Sequence, residues 1–244
     1  MGLGRFSFWN TALLLALCAA TAQAQDERRV VSPNGQLEFR LFVSQPGSDG
    51  LPQLAYQVRY HGRVAIETSF LGLNIHEQEP MLGENDGLIA SHPGAVTGPY
   101  RSLIADYMQN GSIGRLINIE VRVWDDTVAF RYIIPPSTAL MDILIDDELT
   151  EFAIAGSAQP TGLNPPVAFA LPGDGWIGIS EVAKPGFSPM ELSRARNGVL
   201  VAHLAREASN PRLAYQGKPP LVCPWRVLTF AADREHALHP SRDM

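Results

Sequence analysis

The run Leu116–Ile134, LINIEVRVWDDTVAFRYII, limits what this chain can fold into more than any other stretch. Ile117, Ile119, Val121 and Val123 alternate with Asn118, Glu120, Arg122 and Trp124, and after Asp125 and Asp126 the alternation resumes at Val128, Phe130, Tyr132 and Ile134. A period of two places one residue set on a buried sheet face, so the run predicts a β-hairpin. Hairpins occur throughout antiparallel proteins and carry no function by themselves. The other strand signals follow the same logic. Leu37–Val43 should form a strand after the turn at Pro33, Asn34 and Gly35, and Leu54–Tyr60 should pair with Arg63–Glu67 across His61 and Gly62. Shorter strands are expected at Leu71–Ile75, Tyr100–Met108, Ile143–Asp146, Glu151–Ile154, Trp176–Val182, Gly198–Leu204 and Trp225–Phe230. Residues Asp26–Val31 read as loose, and His76–Asp86 as a connecting loop.

The apolar share of 45% supplies a core, and 21 Gly with 19 Pro supply turns. A single all-β domain of ~200 to 250 residues is an ordinary size. The net charge is -6 and no basic stripe is interleaved with aromatics, so nucleic acid is not an expected partner. Residues 1–24 read as a signal peptide: Arg5, then the apolar run Thr11–Ala20, then Ala22, Gln23 and Ala24 as an A-x-A cleavage site. That run is shorter than the ~20 apolar residues of a spanning helix, so no stable membrane insertion is expected after cleavage. The expected organisation is a signal peptide at 1–24, a domain over 25–232 and a polar tail at 233–244, with a secreted, periplasmic location. One cysteine, Cys223, then remains; flanked by Val222 and Pro224, it reads as a buried, inert thiol.

The segments SPNGQLEFRLFV (32–43), VWDDTVAFRY (123–132) and CPWRVL (223–228) occur in the same order as in the N-terminal domain of glycoside hydrolase family 97, which the chain resembles. Tyr56, Val58, Tyr60, Gly62 and Val64 match a further segment, as do Glu148, Thr150 and Phe152, then Pro189, Met190 and Leu192, and finally Pro219, Pro224, Trp225 and Arg226. The family comprises secreted α-glucosidases and α-galactosidases in which a β-supersandwich precedes a (β/α)8 barrel. The resemblance implies a large antiparallel β-supersandwich of the galactose-mutarotase-like kind. It also implies that the two carboxyl groups required for glycoside hydrolysis stand on the barrel, a unit of roughly 200 or more residues with no counterpart in the pattern of this chain. No catalytic residue is therefore assigned, and no glycosidase activity is expected of the chain alone.

Members of the family bind calcium beside the scissile sugar, and one carboxylate ligand comes from the N-terminal domain; Glu181 is the matching position. A hard cation takes several oxygens, so calcium is expected only where a barrel completes the site. The acidic run Asp146, Asp147 and Glu148 lacks the glycine-centred register of an EF-hand and reads as a solvated loop. Supersandwiches also include aldose mutarotases, which use a histidine and a carboxylate in a sugar cleft. Here His61, His76, His92, His203, His236 and His239 share no local motif. The sequence also shows no nucleophile elbow, zinc spacing or phosphate loop. The reading that results is a noncatalytic carbohydrate-associated module. The alternative is one part of a split or truncated calcium-dependent α-glucosidase or α-galactosidase acting with a separate barrel. Expected partners are that barrel or a carbohydrate, with Trp124 and Trp176 as sugar-binding candidates, and a barrel-facing apolar surface left open would also favour a homodimer.

Overall fold

In the computed structural model the described residues are 25–45, 50–94, 98–156, 162–195, 197–206 and 212–239. The first four strands, β1 (Gln25–Val31), β2 (Leu37–Ser44), β3 (Gln53–Tyr60) and β4 (Arg63–Phe70), form an antiparallel meander. The β3–β4 turn is made by His61 and Gly62, with φ of 49° and 77°, as a two-residue hairpin loop requires. β1 corrects the expectation of a loose Asp26–Val31. β1 is an edge strand, which fits the polar Glu27, Arg28 and Arg29, while Val30 is buried, the backbone pairs with β2, and Arg40 grips Glu27 at 2.5 and 3.0 Å.

β5 (Leu73–Ile75), β6 (Gln78–Leu82) and β7 (Asp86–His92) follow, so two strands occupy most of the expected 76–86 loop and its continuation. β8 (Arg101–Gln109), β9 (Leu116–Val123) and β10 (Thr127–Ile134) then build the centre of the largest sheet, and the alternating residues of the opening hairpin are buried as expected. Its turn avoids the left-handed region: Thr127 lies in extended β10 and its carbonyl accepts from Trp124 N at 2.8 Å. A β-branched residue is thereby accommodated without the strain that positive φ would impose.

The remaining strands are β11 (Ile143–Glu148), β12 (Glu151–Phe152), β13 (Val167–Leu171), β14 (Gly175–Val182), β15 (Met190–Arg194), β16 (Leu200–Leu204), β17 (Tyr215–Gly217), β18 (Leu221–Val222) and β19 (Trp225–Ala231). The large sheet runs β13-β14-β19-β10-β9-β8-β7, with β18 also on β10; the smaller sheets run β17-β11-β5-β6 and β12-β16-β15. The protein is thus an all-β sandwich of antiparallel sheets. Phe39 on β2, Tyr56 on β3, Phe130 on β10 and Phe152 on β12 interlock at ring-centroid distances of 5.0 to 6.5 Å, which fixes the meander against the large sheet.

The expected tail at 233–244 begins with a short helix, α1 (Arg234–Leu238), capped by the Asp233 carboxylate on His236 N. Ala237 is buried, and α1 lies so close to Gly178 on β14 that a Cβ there would overlap the Ala237 carbonyl. The signal peptide expected at 1–24 lies outside the described residues.

Candidate functional site

β19 presents Arg226 on the same face as Leu228 and Phe230, towards the core, and its side chain is 1% exposed. A guanidinium in that position is tolerated only when paired and hydrogen-bonded. Two carboxylates meet it. Glu148, fully buried at the end of β11, takes Arg226 Nε at 2.8 Å and Nη2 at 2.5 Å in a two-pronged contact. Glu181 lies directly opposite Arg226 in the β14–β19 register and takes Nη1 at 2.6 Å. Burial disfavours the charge of Arg226, but the fields of Glu148 and then Glu181 outweigh it, so its pKa stands above the ordinary value.

A hydrogen-bond relay completes the cluster. Gly72 N donates to Tyr132 Oη at 3.1 Å; Tyr132 donates to Thr150 Oγ1 at 2.6 Å; Thr150 donates to Glu148 Oε1 at 2.7 Å. The direction is fixed because Thr150 has a single proton and the carboxylate can only accept. Burial, and then the negative charge of Glu148, hold the Tyr132 phenol well above its ordinary pKa. Arg226, Glu148, Tyr132 and Thr150 are buried and committed to one another, and so form a structural charge centre sealed from solvent.

Glu181 is the one member that reaches the surface, its side chain 14% exposed. Its second oxygen, Oε1, accepts from Met190 N at 2.9 Å. Both of its oxygens are thus engaged, one by a guanidinium at 2.6 Å, while Glu148 is sealed inside. Among the described residues no group of three or more His, Cys, Asp or Glu side chains is arranged to hold a metal.

The acidic run is not a solvated loop. It lies in β11, where successive side chains leave on different sides: Asp146 meets His76 Nδ1 at 2.9 Å, Asp147 meets His203 Nδ1 at 2.7 Å, and Glu148 turns inward. His61, His92 and His236 face other aspartates, Asp174, Asp106 and Asp233. Cys223 is buried, and burial with the nearby charge of Glu148 pushes its thiol up to about 12, consistent with an inert role. Trp124 does not present an open ring: it is 5% exposed and packs on Tyr100 at 4.8 Å. Beside it Trp225 is covered by Arg131 and Arg122, at 4.1 and 4.7 Å, on the face of the large sheet away from the core. Trp176 is half-buried.

A second interior polar group lies where β6 meets β7. Asp86 accepts from Gly83 N at 2.6 Å through Oδ2, while Oδ1 has no hydrogen-bond partner among the described residues. Gln109 spreads its amide over the carbonyls of Pro80, Met81 and Glu84 and receives Arg115 Nη1. Burial pushes the Asp86 carboxyl up to about 7, against the smaller opposing pulls of Gly83 N–H and Arg115.

The model of the glycosyl-hydrolase 97 N-terminal family matches residues 30–164, more than half of the chain. The chain belongs to this family. A family 97 enzyme from Pseudoalteromonas sp. strain K8, solved in complex with acarbose, is similar over 84% of this chain and 36% of its own, with 21% identity and a TM-score of 0.70. The same enzyme carrying E480Q, in complex with panose, gives a TM-score of 0.67 at 21% identity over the same shares. A beta-arabinopyranosidase is similar over 86% of this chain and 40% of its own, with 20% identity and a TM-score of 0.70. At these identities the likeness establishes the fold, and the chain spans well under half the length of these enzymes. A search of curated proteins found no match.

Proposed function

We propose that this family 97 N-terminal domain is a secreted carbohydrate-associated module, noncatalytic toward glycosides, that hydrolyses none of them alone. The observation that carries the reading is the commitment of the two carboxylates around the core arginine: Glu148 and Glu181 are both spent on Arg226. Glycoside hydrolysis needs one protonated carboxyl and one nucleophile or base facing a sugar, free to change protonation state. Recombinant protein, incubated with aryl α-glucosides and α-galactosides, is expected to release no aryl alcohol. Turnover that disappears on replacing a carboxylate of this chain would overturn the proposal. Titration with maltose and galactose, followed by tryptophan fluorescence and calorimetry, tests the carbohydrate association, and periplasmic fractionation tests export.

The second reading, part of a split or truncated glycosidase, is favoured by the family arrangement of sandwich before barrel. It predicts a barrel encoded directly downstream and α-glycosidase activity on co-expression. In that assembly Glu181 would contribute one calcium ligand after release from Arg226, with the other oxygens supplied by the barrel. Calorimetry of the chain alone should then reveal no submicromolar calcium site.

A further inference from the structure

The face of the β15–β16 pair turned away from the core carries Ser193 and His203. In the register Ser193 opposes Val201 and His203 opposes Glu191, so Ser193 and His203 are diagonal neighbours, within reach of an imidazole. His203 Nε2 lies 2.8 Å from Ser193 Oγ, and Nδ1 lies 2.7 Å from Asp147 Oδ2. Asp147 is itself held, its Oδ1 accepting from Leu204 N at 2.8 Å and Glu148 N at 2.9 Å. A carboxylate only accepts, so Nδ1 of the neutral ring carries the proton and Nε2 presents its lone pair to the serine hydroxyl. Ser, His and Asp are thereby joined in the order and at the distances of an acyl-transfer triad, which is recognised by geometry rather than by sequence position.

We propose that Ser193, His203 and Asp147 form a nucleophilic site for small carboxylic esters, separate from any glycosidase chemistry. Ser193 Oγ attacks the ester carbonyl as its proton passes to His203 Nε2. The carbonyl–alkoxy bond breaks, the alcohol leaves with that proton, and an acyl-Ser193 remains. Water, deprotonated by His203, then attacks the acyl carbon; the carboxylic acid departs and Ser193 regains its proton. Ser193 and His203 touch the reacting atoms, and Asp147 is a positioning residue that fixes the tautomer. The backbone offers one further element. Ala195 N bonds Val199 O, so by the alternation of an antiparallel ladder Arg194 N points away from β16, across the outer edge of β15. An N–H of the residue after the nucleophile is a standard donor to the developing oxyanion. Ser193 is exposed, so an ester reaches it without a lid or channel.

The test is labelling of the full chain with a tagged fluorophosphonate, read by peptide mass spectrometry, alongside hydrolysis of p-nitrophenyl acetate. Ser193 is expected to be labelled ahead of the other serines in the native protein and to lose that preference in urea. His203→Gln should slow labelling at least tenfold. Asp147→Asn, which keeps an acceptor for Leu204 N but presents an amide that turns the imidazole to the wrong tautomer, should slow it comparably, and Ser193→Ala should abolish the acetate burst. If Ser193 in folded wild-type protein labels no faster than in urea, or equally fast in folded His203→Gln protein, the site is refuted. The native-against-urea comparison decides the matter even where a variant fails to fold.

Discussion

Arg226 and Arg115 both carry a guanidinium into the interior, yet burial leaves them in opposite states. Arg226 is enclosed by Glu148 and Glu181 and held above its ordinary pKa; Arg115 is pulled below it by burial, with Asp86 and Glu79 offsetting only part of the effect. The distinction lies in matching. Around Arg226 the guanidinium prongs, the Glu148 carboxylate and the relay from Gly72 N through Tyr132 and Thr150 are all satisfied. Around Arg115, its Nε and Nη2 and the Asp86 Oδ1 have no hydrogen-bond partner among the described residues. A low dielectric strengthens a complete network and penalises an incomplete one, so the first region should act as a lock and the second as a weak point.

The largest expected effect is at the lock. Arg226→Met should cost about 3–5 kcal/mol, because Glu148 would be left charged and unpaired in the core. Urea denaturation at neutral pH measures the loss, and a cost below 1 kcal/mol would mean that the pair contributes nothing to stability. Replacing Arg226 and Glu148 together by apolar residues should recover part of the loss, since removing both partners avoids the orphaned charge.

The second prediction concerns the weak point and has the opposite sign. Unfolded Asp titrates near ~3.9, whereas folded Asp86 titrates at about 7. Between those pH values the folded chain holds a proton that the unfolded chain has released, so stability falls as pH rises from about 4 to about 7 and stays low above that. Asp86→Asn should remove this decline and stabilise the protein at pH 8 by on the order of 2 kcal/mol. Denaturation midpoints at pH 5 and pH 8, for both proteins, report it; equal pH slopes would show that Asp86 is as well matched as Glu148.

How much of this was legible follows from the range of the signals. The β9–β10 hairpin announced itself because alternation is written in neighbouring residues, and the segments shared with family 97 supplied the all-β sandwich. β1 and β6 were missed because strands made of polar residues have no local apolar period; their evidence is the ladder with a partner. Asp146, Asp147 and Glu148 read as a solvated loop because their partners are remote: His203 is 56 positions from Asp147 and Arg226 is 78 from Glu148. An arginine in a strand of Trp, Val, Leu and Phe was the available clue, since such a charge needs a buried carboxylate. Glu181 was singled out by resemblance as a metal ligand, but its role as the cross-strand partner of Arg226 emerges only from the β14–β19 register.

Within the lock, the relay should matter less than the ion pair. Thr150→Val keeps the shape but removes the donor to Glu148 Oε1 and leaves the Tyr132 hydroxyl without its acceptor. A neutral hydrogen bond contributes about 1 kcal/mol and a buried unsatisfied group adds to the loss, so about 1–2 kcal/mol is expected. A double-mutant cycle with Tyr132→Phe should give less than the sum of the two single losses, because both substitutions break the same chain. Strict additivity would show that the relay does not act as a unit.

The smallest effect is expected at Glu181, and it separates the two roles offered for that residue. Glu181→Gln retains an oxygen for either Arg226 Nη1 or Met190 N, and the amide nitrogen cannot accept from the other. Glu148 keeps its two contacts with Arg226, so the guanidinium remains charged and paired. The net loss should therefore be about 1 kcal/mol, well below that of Arg226→Met. If the carboxylate is chiefly a partner of Arg226, this loss will be the same with and without millimolar calcium. A loss that grows when calcium is added would identify Glu181 as a ligand on this chain alone, and the ion pair seen here would then be the arrangement that calcium displaces.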